Sequence, residues 1–149
     1  MGRYLMLDIG AGTMDMLCFD TDQDLHYKAV VRSPVRVIAD EIRQSRGNLV
    51  VTGVEMGGGP VSQALIERAK TNEVVMSMSA AATIHHDVEK VTAYGIRVVA
   101  DDEAGGLIGN SDFSPIRSGD LQIERIRRLV EGLGLPFAFD AVGICAQDH

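Results

Sequence analysis

The chain has 149 residues, of which 46% are hydrophobic and 23% are charged, and its formal net charge is -7. This length predicts one domain that can bury a core of its own. The acidic balance argues against a nucleic-acid partner, because phosphate backbones select basic surfaces. The sequence shows neither a signal-peptide pattern nor an apolar run of membrane-spanning length, so we expect no membrane association and a cytoplasmic location. The two cysteines, Cys18 and Cys145, fall in predicted strands, where buried free thiols fit a reducing compartment.

The first third of the chain predicts three strands followed by a helix. The strands cover residues 3–9, 14–20 and 26–32. Ser33 is a suitable N-cap, and Pro34 suits the first turn of the helix that follows. The inward stripe of this helix, at helical spacing, is predicted to be Val35, Ile38, Ala39 and Ile42.

The middle of the chain alternates strands with helices. The predicted strands cover residues 49–52, 74–78 and 96–100, and the predicted helices cover 60–70 and 87–94. Residues 101–115, which contain several glycines, are predicted to be a loop.

The last part of the chain predicts one helix and one strand. Asp120 is expected to cap the helix. Its inner face is predicted to be Ile126, Leu129, Val130 and Leu133. The strand over residues 141–146 is so apolar that we expect it to be central and buried on both faces.

The order of these elements predicts an α/β fold of the ribonuclease H-like class. Two hairpins make the first three strands antiparallel, and the helical crossovers then add parallel strands beside the first strand, with helices flanking one mixed sheet. We expect residues 1–149 to form a single such domain. Because the strand 141–146 is predicted to be central, yet is followed by only three residues, we expect the chain to be the N-terminal part of a longer two-domain protein.

The most informative motif joins the first two strands. Asp8 closes the first strand, Gly10 and Gly12 lie in the turn, and Thr13 and Asp15 open the second strand. Glycines let backbone N–H groups turn toward an anion, and a threonine hydroxyl can add a further donor. An aspartate can hold Mg²⁺ against phosphate oxygens. A plain glycine-containing hairpin is the alternative interpretation.

This D-x-G-x-G-T-x-D run resembles the phosphate loops of the actin, heat-shock-chaperone and sugar-kinase ATPase superfamily. The resemblance implies that Gly10, Gly12 and Thr13 bind phosphate, that Asp8 positions Mg²⁺ and that Asp15 orients the loop or a water. It implies ATP as a ligand. In that superfamily nucleotide lies between two related halves, so this segment is expected to contribute phosphate contacts only.

A second glycine run follows the predicted strand 49–52. Gly57, Gly58 and Gly59 precede a helix that begins with Pro60, and free N–H groups there can hold a phosphate or a carboxylate. A tight strand-to-helix turn is the alternative. In a single sheet this run would face the first hairpin loop from the same edge.

Taken whole, the chain resembles a family of uncharacterised bacterial and archaeal proteins that often carry the label pyruvate formate-lyase-activating-enzyme-like. The resemblance rests on the first hairpin loop, on the run Thr52-Gly53-Val54-Glu55-Met56-Gly57-Gly58-Gly59-Pro60, on Asp101-Asp102-Glu103 and on Ala146-Gln147-Asp148-His149. Members of that family are about twice as long as this chain. The label fails a chemical test, because a glycyl-radical activase needs three closely spaced cysteines for its iron–sulfur cluster, and this sequence has two cysteines.

Three functional hypotheses follow. The first is half of an actin-like, Mg²⁺-dependent ATPase or small-molecule kinase that binds a nucleotide or a phosphorylated small molecule. The second is a ribonuclease H-like nuclease that holds two metal ions on Asp8, Glu55 and either Asp101 or Asp148. The third is a module that binds a phosphorylated metabolite without turnover.

Overall fold

The computed structural model describes residues 2–54 and 58–146. Within these residues the chain forms eight strands and six helices. The strands are β1 Arg3–Ile9, β2 Thr13–Asp20, β3 Leu25–Arg32, β4 Asn48–Gly53, β5 Val74–Ser77, β6 Arg97–Val99, β7 Phe113–Ser118 and β8 Ala141–Ala146. The helices are α1 Pro34–Gln44, α2 Gly59–Ala69, α3 Met78–Ile84, α4 Val88–Ala93, α5 Asp101–Leu107 and α6 Ile123–Gly132. None of the described helices is long and apolar enough to cross a membrane.

The described residues divide into two compact units. The first unit combines both ends of the chain, residues 2–34 and 120–146, and contains a mixed sheet in the order β3-β2-β1-β8. The antiparallel pairs are β1–β2 and β2–β3, and β8 runs parallel to β1. Helix α6 packs Ile126 and Val130 into the core of this unit. The predicted inner face of α6 is confirmed, since Leu129 and Leu133 pack against the same core.

The second unit, within residues 35–119, contains a parallel sheet in the order β6-β5-β4-β7. Its core includes the predicted inward stripe of α1, because Val35, Ile38, Ala39 and Ile42 are all buried there. Strand β5 is buried along its whole length, and β4 is buried at its three central apolar residues, Leu49, Val50 and Val51, as expected for strands covered on both faces. The α/β class with flanking helices is thus confirmed.

The expectation of one continuous sheet is wrong. Strand β4 pairs with β5 and β7 instead of lying beside β1, and the parallel neighbour of β1 is β8. Pairing partners depend on contacts between distant parts of the chain, whereas the sequence pattern reports only which segments are strands. Helix α6 directly precedes β8 in the chain, so it belongs to the connection that leads into the parallel neighbour of β1.

The prediction of a loop over residues 101–115 is also wrong. Residues Asp101 to Leu107 form α5, and Phe113 begins the edge strand β7. Acidic residues in the first turn of α5 interact favourably with the positive end of the helix dipole. The two glycines inside α5 have low helix propensity, which is why the sequence predicted a loop there. Pro115 fits β7 because proline is tolerated in an edge strand.

Strand β8 is found where it was predicted, but it is not buried. All six of its residues are exposed, with Val142 at 52% and Ile144 at 48%, because β8 lies at the edge of the first sheet. Cys145 is consequently exposed, which corrects the expectation for this thiol, whereas Cys18 is buried as predicted. Burial raises the pKa of the Cys18 thiol, an effect that the nearby Arg3 charge opposes.

Candidate functional site

The β1–β2 hairpin carries the candidate phosphate loop at its tip. The Gly10 N–H donates to the Thr13 carbonyl oxygen at 3.0 Å and closes the turn. Neither Gly10 nor Gly12 has a positive φ, and a Cβ at Gly12 would meet no heavy atom within 4 Å. The fold therefore does not demand a glycine at position 12, and the open space leaves its backbone accessible to a ligand.

Ser33 holds this loop from the end of β3. Its side chain is fully buried, its hydroxyl donates to the Ala11 carbonyl at 3.0 Å, and its N–H donates to the Gly12 carbonyl at 3.1 Å. Among the residues that the structure describes, the N–H groups of Ala11 and Gly12 donate to no acceptor. Ser33 therefore positions the hairpin loop: two loop carbonyls are occupied, and two loop N–H groups are left for a ligand.

Two carboxylates flank the loop on one face of the sheet. Asp8 and Asp15 are directly opposite each other across β1 and β2, and both are exposed. The Thr13 hydroxyl donates to the Asp15 Oδ2 at 3.3 Å. Like charges at directly opposed positions destabilise a strand pair. A cation bound between the two carboxylates would remove this cost.

Two cationic side chains, Lys28 and Arg32, were missed by the sequence analysis. Strand β3 pairs Val30 with Asp15, so Lys28 and Arg32 occupy the two diagonal positions beside Asp15. The exposed residues of β3 alternate with half-buried ones, which places both cations on the face that carries Asp15. The β2–β3 register together with the alternation along β3 was the signal that could have found them.

Helix α6 adds positive charge at the end of β3. The Arg125 Nη2 donates to the Arg32 carbonyl at 2.6 Å, and its Nη1 donates to the Gln122 Oε1 at 3.3 Å. Burial lowers the pKa of Arg125, and repulsion by Arg32 and Arg128 lowers it further. Because Arg32 is paired with Thr13, the Arg125 guanidinium bound to its carbonyl lies at the end of β3 that adjoins the hairpin turn.

A cavity of about 450 Å³ lies over this face of the first sheet. We call one row of its lining the polar row. It lies next to the hairpin turn and consists of Asp15, Asp8 and Cys145, which are neighbours across β2, β1 and β8. Its apolar row, two residues further along the same strands, consists of Leu17, Met6 and Gly143. Val30 and Lys28 also line the cavity from β3. By the β2–β3 register Val30 lies beside Asp15 and Lys28 lies beside Leu17, so the cavity has carboxylates in one row and a cation at the end of the next.

The polar row has too few ligands to hold a metal ion by itself. No group of three or more His, Cys, Asp or Glu side chains within residues 2–54 and 58–146 could hold a metal by itself. Mg²⁺ in phosphate-transfer sites is commonly held by one or two carboxylates, with phosphate oxygens and waters completing its shell. The Asp8 and Asp15 pair fits that requirement and would hold Mg²⁺ only together with a ligand.

The second glycine run belongs to the other unit. Gly58, with φ of +88°, precedes α2, which begins at Gly59 and has Pro60 in its first turn. Gly57 lies outside the described residues, as does Glu55. The expectation that this run shares one sheet edge with the hairpin loop is wrong, because β4 and β1 belong to different sheets.

Of the other carboxylates proposed for a nuclease, only Asp101 lies among the described residues. Asp101, in the second unit, accepts hydrogen bonds from the Ser79 hydroxyl and from the Ser79 N–H, the latter at 3.0 Å. These bonds, that of the hydroxyl first, hold the pKa of Asp101 below its ordinary value. Asp148 and Glu55 lie outside the described residues. Asp8 and Asp101 thus belong to different units, and the rest of the proposed nuclease set stays a prediction.

Comparison with known proteins gives one family match. A family model described as "Putative pyruvate format-lyase activating enzyme (DUF1786)" matches residues 56–149. No curated protein matches the chain.

Proposed function

The chain belongs to the family described as "Putative pyruvate format-lyase activating enzyme (DUF1786)", and we propose that its first unit binds the phosphate groups of a nucleotide or phosphorylated small molecule with Mg²⁺. One observation carries the proposal. The hairpin register gathers two carboxylates, a hydroxyl and two cationic side chains on one exposed face around a glycine turn. A phosphate site is commonly built from carboxylates that hold a divalent cation and from a glycine turn whose N–H groups are exposed.

Each residue of this site has a defined role in the proposal. The Ala11 and Gly12 N–H groups donate to phosphate oxygens, and the Thr13 hydroxyl does so once it turns away from Asp15. Lys28 and Arg32 offset the remaining phosphate charge. When bound, Mg²⁺ neutralises charge on the phosphate groups, and Asp8 and Asp15 hold it. If a phosphoryl group is transferred, these charged and polar groups would stabilise the charge of the transition state, and the reaction would need no nucleophilic side chain of the protein.

The topology of the first unit supports an actin-like half. Three antiparallel strands are followed by a helix, α6, and by β8 parallel to β1, in the order β3-β2-β1-β8. This is the order of elements expected for the start of a ribonuclease H-like fold. The second unit occupies the chain between β3 and α6, as an insertion into that order.

We do not extend the proposal to radical chemistry. The family description names an activating enzyme for a lyase, and activases of the glycyl-radical type hold an iron–sulfur cluster on three cysteines. This sequence has two cysteines, and one of them, Cys18, is buried in the core of the first unit.

Calorimetric titration of Mg·ATP tests the proposal. We expect binding with a dissociation constant below the millimolar range, and a loss of at least about tenfold in affinity in Asp8→Asn, because a metal-bridged contact is removed. Asp22→Asn is the matched control, since it removes the same charge in the same unit at the β2–β3 turn and should leave the affinity unchanged. The proposal fails if Mg·ATP does not bind, or if both variants bind as the parent does.

A further inference from the structure

The cavity over the first sheet has a charged side chain beyond its polar row. Its described lining contains three charged residues, Asp8, Asp15 and Lys28. The β2–β3 register places Lys28 beside Leu17, one row further from the hairpin turn than Asp15. The other members of this apolar row offer a ligand no side-chain donor. Since a few polar groups fix the orientation of a ligand in a mainly apolar pocket, Lys28 is the group of this row that can select one.

The Lys28 ammonium is not neutralised by the neighbouring carboxylates. Its side chain is exposed, and among the residues that the structure describes it forms no ion pair, although Asp15 occupies a diagonal position across β2 and β3. The Asp15 Oδ2 instead accepts the Thr13 hydroxyl at 3.3 Å. An ammonium group has three donors and no acceptor. At this place in the cavity it is therefore complementary to an anionic group of a ligand.

The two cations of β3 lie on opposite sides of the carboxylates. Arg32 is paired with Thr13 at the hairpin turn, Val30 is paired with Asp15, and Lys28 follows on the far side. Four residues separate the two cations, which is about 13 Å along a strand. A phosphate group bound to the N–H groups of the turn lies on the Arg32 side. Lys28 is then left for a second group of the same ligand.

We infer that the ligand carries a second anionic group, a carboxylate or a second phosphate, and that Lys28 binds it. The inference rests on the proposed phosphate site and deepens it, because it names the class of ligand. This class is a phosphorylated small molecule with an anionic group at each end of a short carbon chain. Successive rows on one face of a strand are about 7 Å apart, which a short carbon chain spans. Its carbon atoms would then lie against Leu17 and Met6 of the apolar row.

Three small probes, titrated calorimetrically in the presence of excess Mg²⁺, test the inference. Glycerol 3-phosphate carries one anionic group. In 3-phosphoglycerate a carboxylate replaces its hydroxymethyl group, and propane-1,3-diol bisphosphate carries a second phosphate instead. We expect at least one of the doubly anionic probes to bind about tenfold more tightly than glycerol 3-phosphate, as for one added hydrogen bond to a charged group. The tighter of the two identifies the second group.

Variants of the two cations show which of them binds the second group. Lys28→Met removes the charge from a side chain of similar length and should abolish the preference, so that the probes bind alike. Lys28→Arg keeps the charge and should keep the preference. Because Lys28 is exposed and forms no ion pair with the described residues, neither change should affect folding. Arg32→Met is the matched comparison on the other side of the carboxylates, and it should weaken all three probes by the same factor.

Three results would overturn the inference and leave the proposed function standing, provided that Mg·ATP still binds. Equal affinities of the parent chain for the three probes would show that no second anionic group is selected. A preference that persists in Lys28→Met would show that another group, such as the metal, binds it. Absence of binding by every probe would show that the site does not take ligands of this class. If Mg·ATP also fails to bind, the proposed function fails with the inference.

Discussion

Replacing Gly53 with alanine tests whether β7 lies so close to the end of β4 that residue 53 must be glycine. Gly53 ends β4 with φ of +118° and pairs with Ser118 of β7. A Cβ at position 53 would lie 2.0 Å from the Ser118 carbonyl oxygen and 2.6 Å from its Oγ. Backbone atoms cannot move aside as a flexible side chain can, so alanine must displace β7.

The cost has two parts. Positive φ costs an alanine about 1–2 kcal/mol relative to glycine. Overlap with the neighbouring strand adds about 1–3 kcal/mol, as for other overpacked sites. We therefore expect Gly53→Ala to lower the free energy of unfolding by about 2–5 kcal/mol, against a total of about 5–15 kcal/mol for a typical domain.

Gly47→Ala is the control. Gly47 also has a positive φ, +71°, but a Cβ there would meet nothing within 4 Å. It should cost only the backbone part, about 1–2 kcal/mol. Urea unfolding followed by far-ultraviolet circular dichroism measures both variants, and equal losses would refute the proposed clash with β7.

The remaining predictions concern the first unit. Ser33→Ala should lower the free energy of unfolding by about 1 kcal/mol, measured by urea unfolding, because a buried hydrogen bond to the hairpin loop is lost; an unchanged midpoint would contradict the positioning role. In the native protein, iodoacetamide should modify Cys145 and spare Cys18, as judged by peptide mass spectrometry, and rapid labelling of both would show that the core is open. The pKa of Asp20 is held below its ordinary value, first by the Asp22 N–H and further by Arg3. The Asp20 carboxylate therefore stabilises the fold fully above the unfolded-state pKa of about 3.9, and this stabilisation is lost as the pH falls through the lower pKa of the folded state. The stability gap between the parent and Asp20→Asn should therefore shrink on acidification toward about pH 3, and a constant gap would contradict this.

Local features of the fold were predictable from sequence. Strand β1 was predicted with its observed bounds, and the buried stripe of α1 was predicted from helical spacing. Both depend on periodicity within a short window. Strand β7 and helix α5 were missed because Pro115 and the glycines of α5 are typical of loops.

Pairing of strands was not predictable in the same way. The sequence pattern of β8 suggested a central strand, yet its place at a sheet edge depends on contacts with β1 made across most of the chain. The division into two sheets has the same origin, because strand patterns are local and sheet order is not.

The candidate site was predicted only in part. Asp8, Asp15 and the turn glycines were recognisable from residue types and spacing. Their cationic neighbours Lys28 and Arg32 required the β2–β3 register, which brings them beside Asp15. Whether the turn glycines and Thr13 contact phosphate stays a prediction.

Electron paramagnetic resonance of Mn²⁺ tests the central claim most directly, since Mn²⁺ takes the oxygen ligands of Mg²⁺. With tripolyphosphate present, we predict a protein-bound Mn²⁺ signal with phosphorus hyperfine coupling in the parent chain and in Asp22→Asn, and its loss in the double variant Asp8→Asn/Asp15→Asn. A double variant with the same bound signal, or a parent chain with none, would contradict a metal-phosphate site at the β1–β2 hairpin.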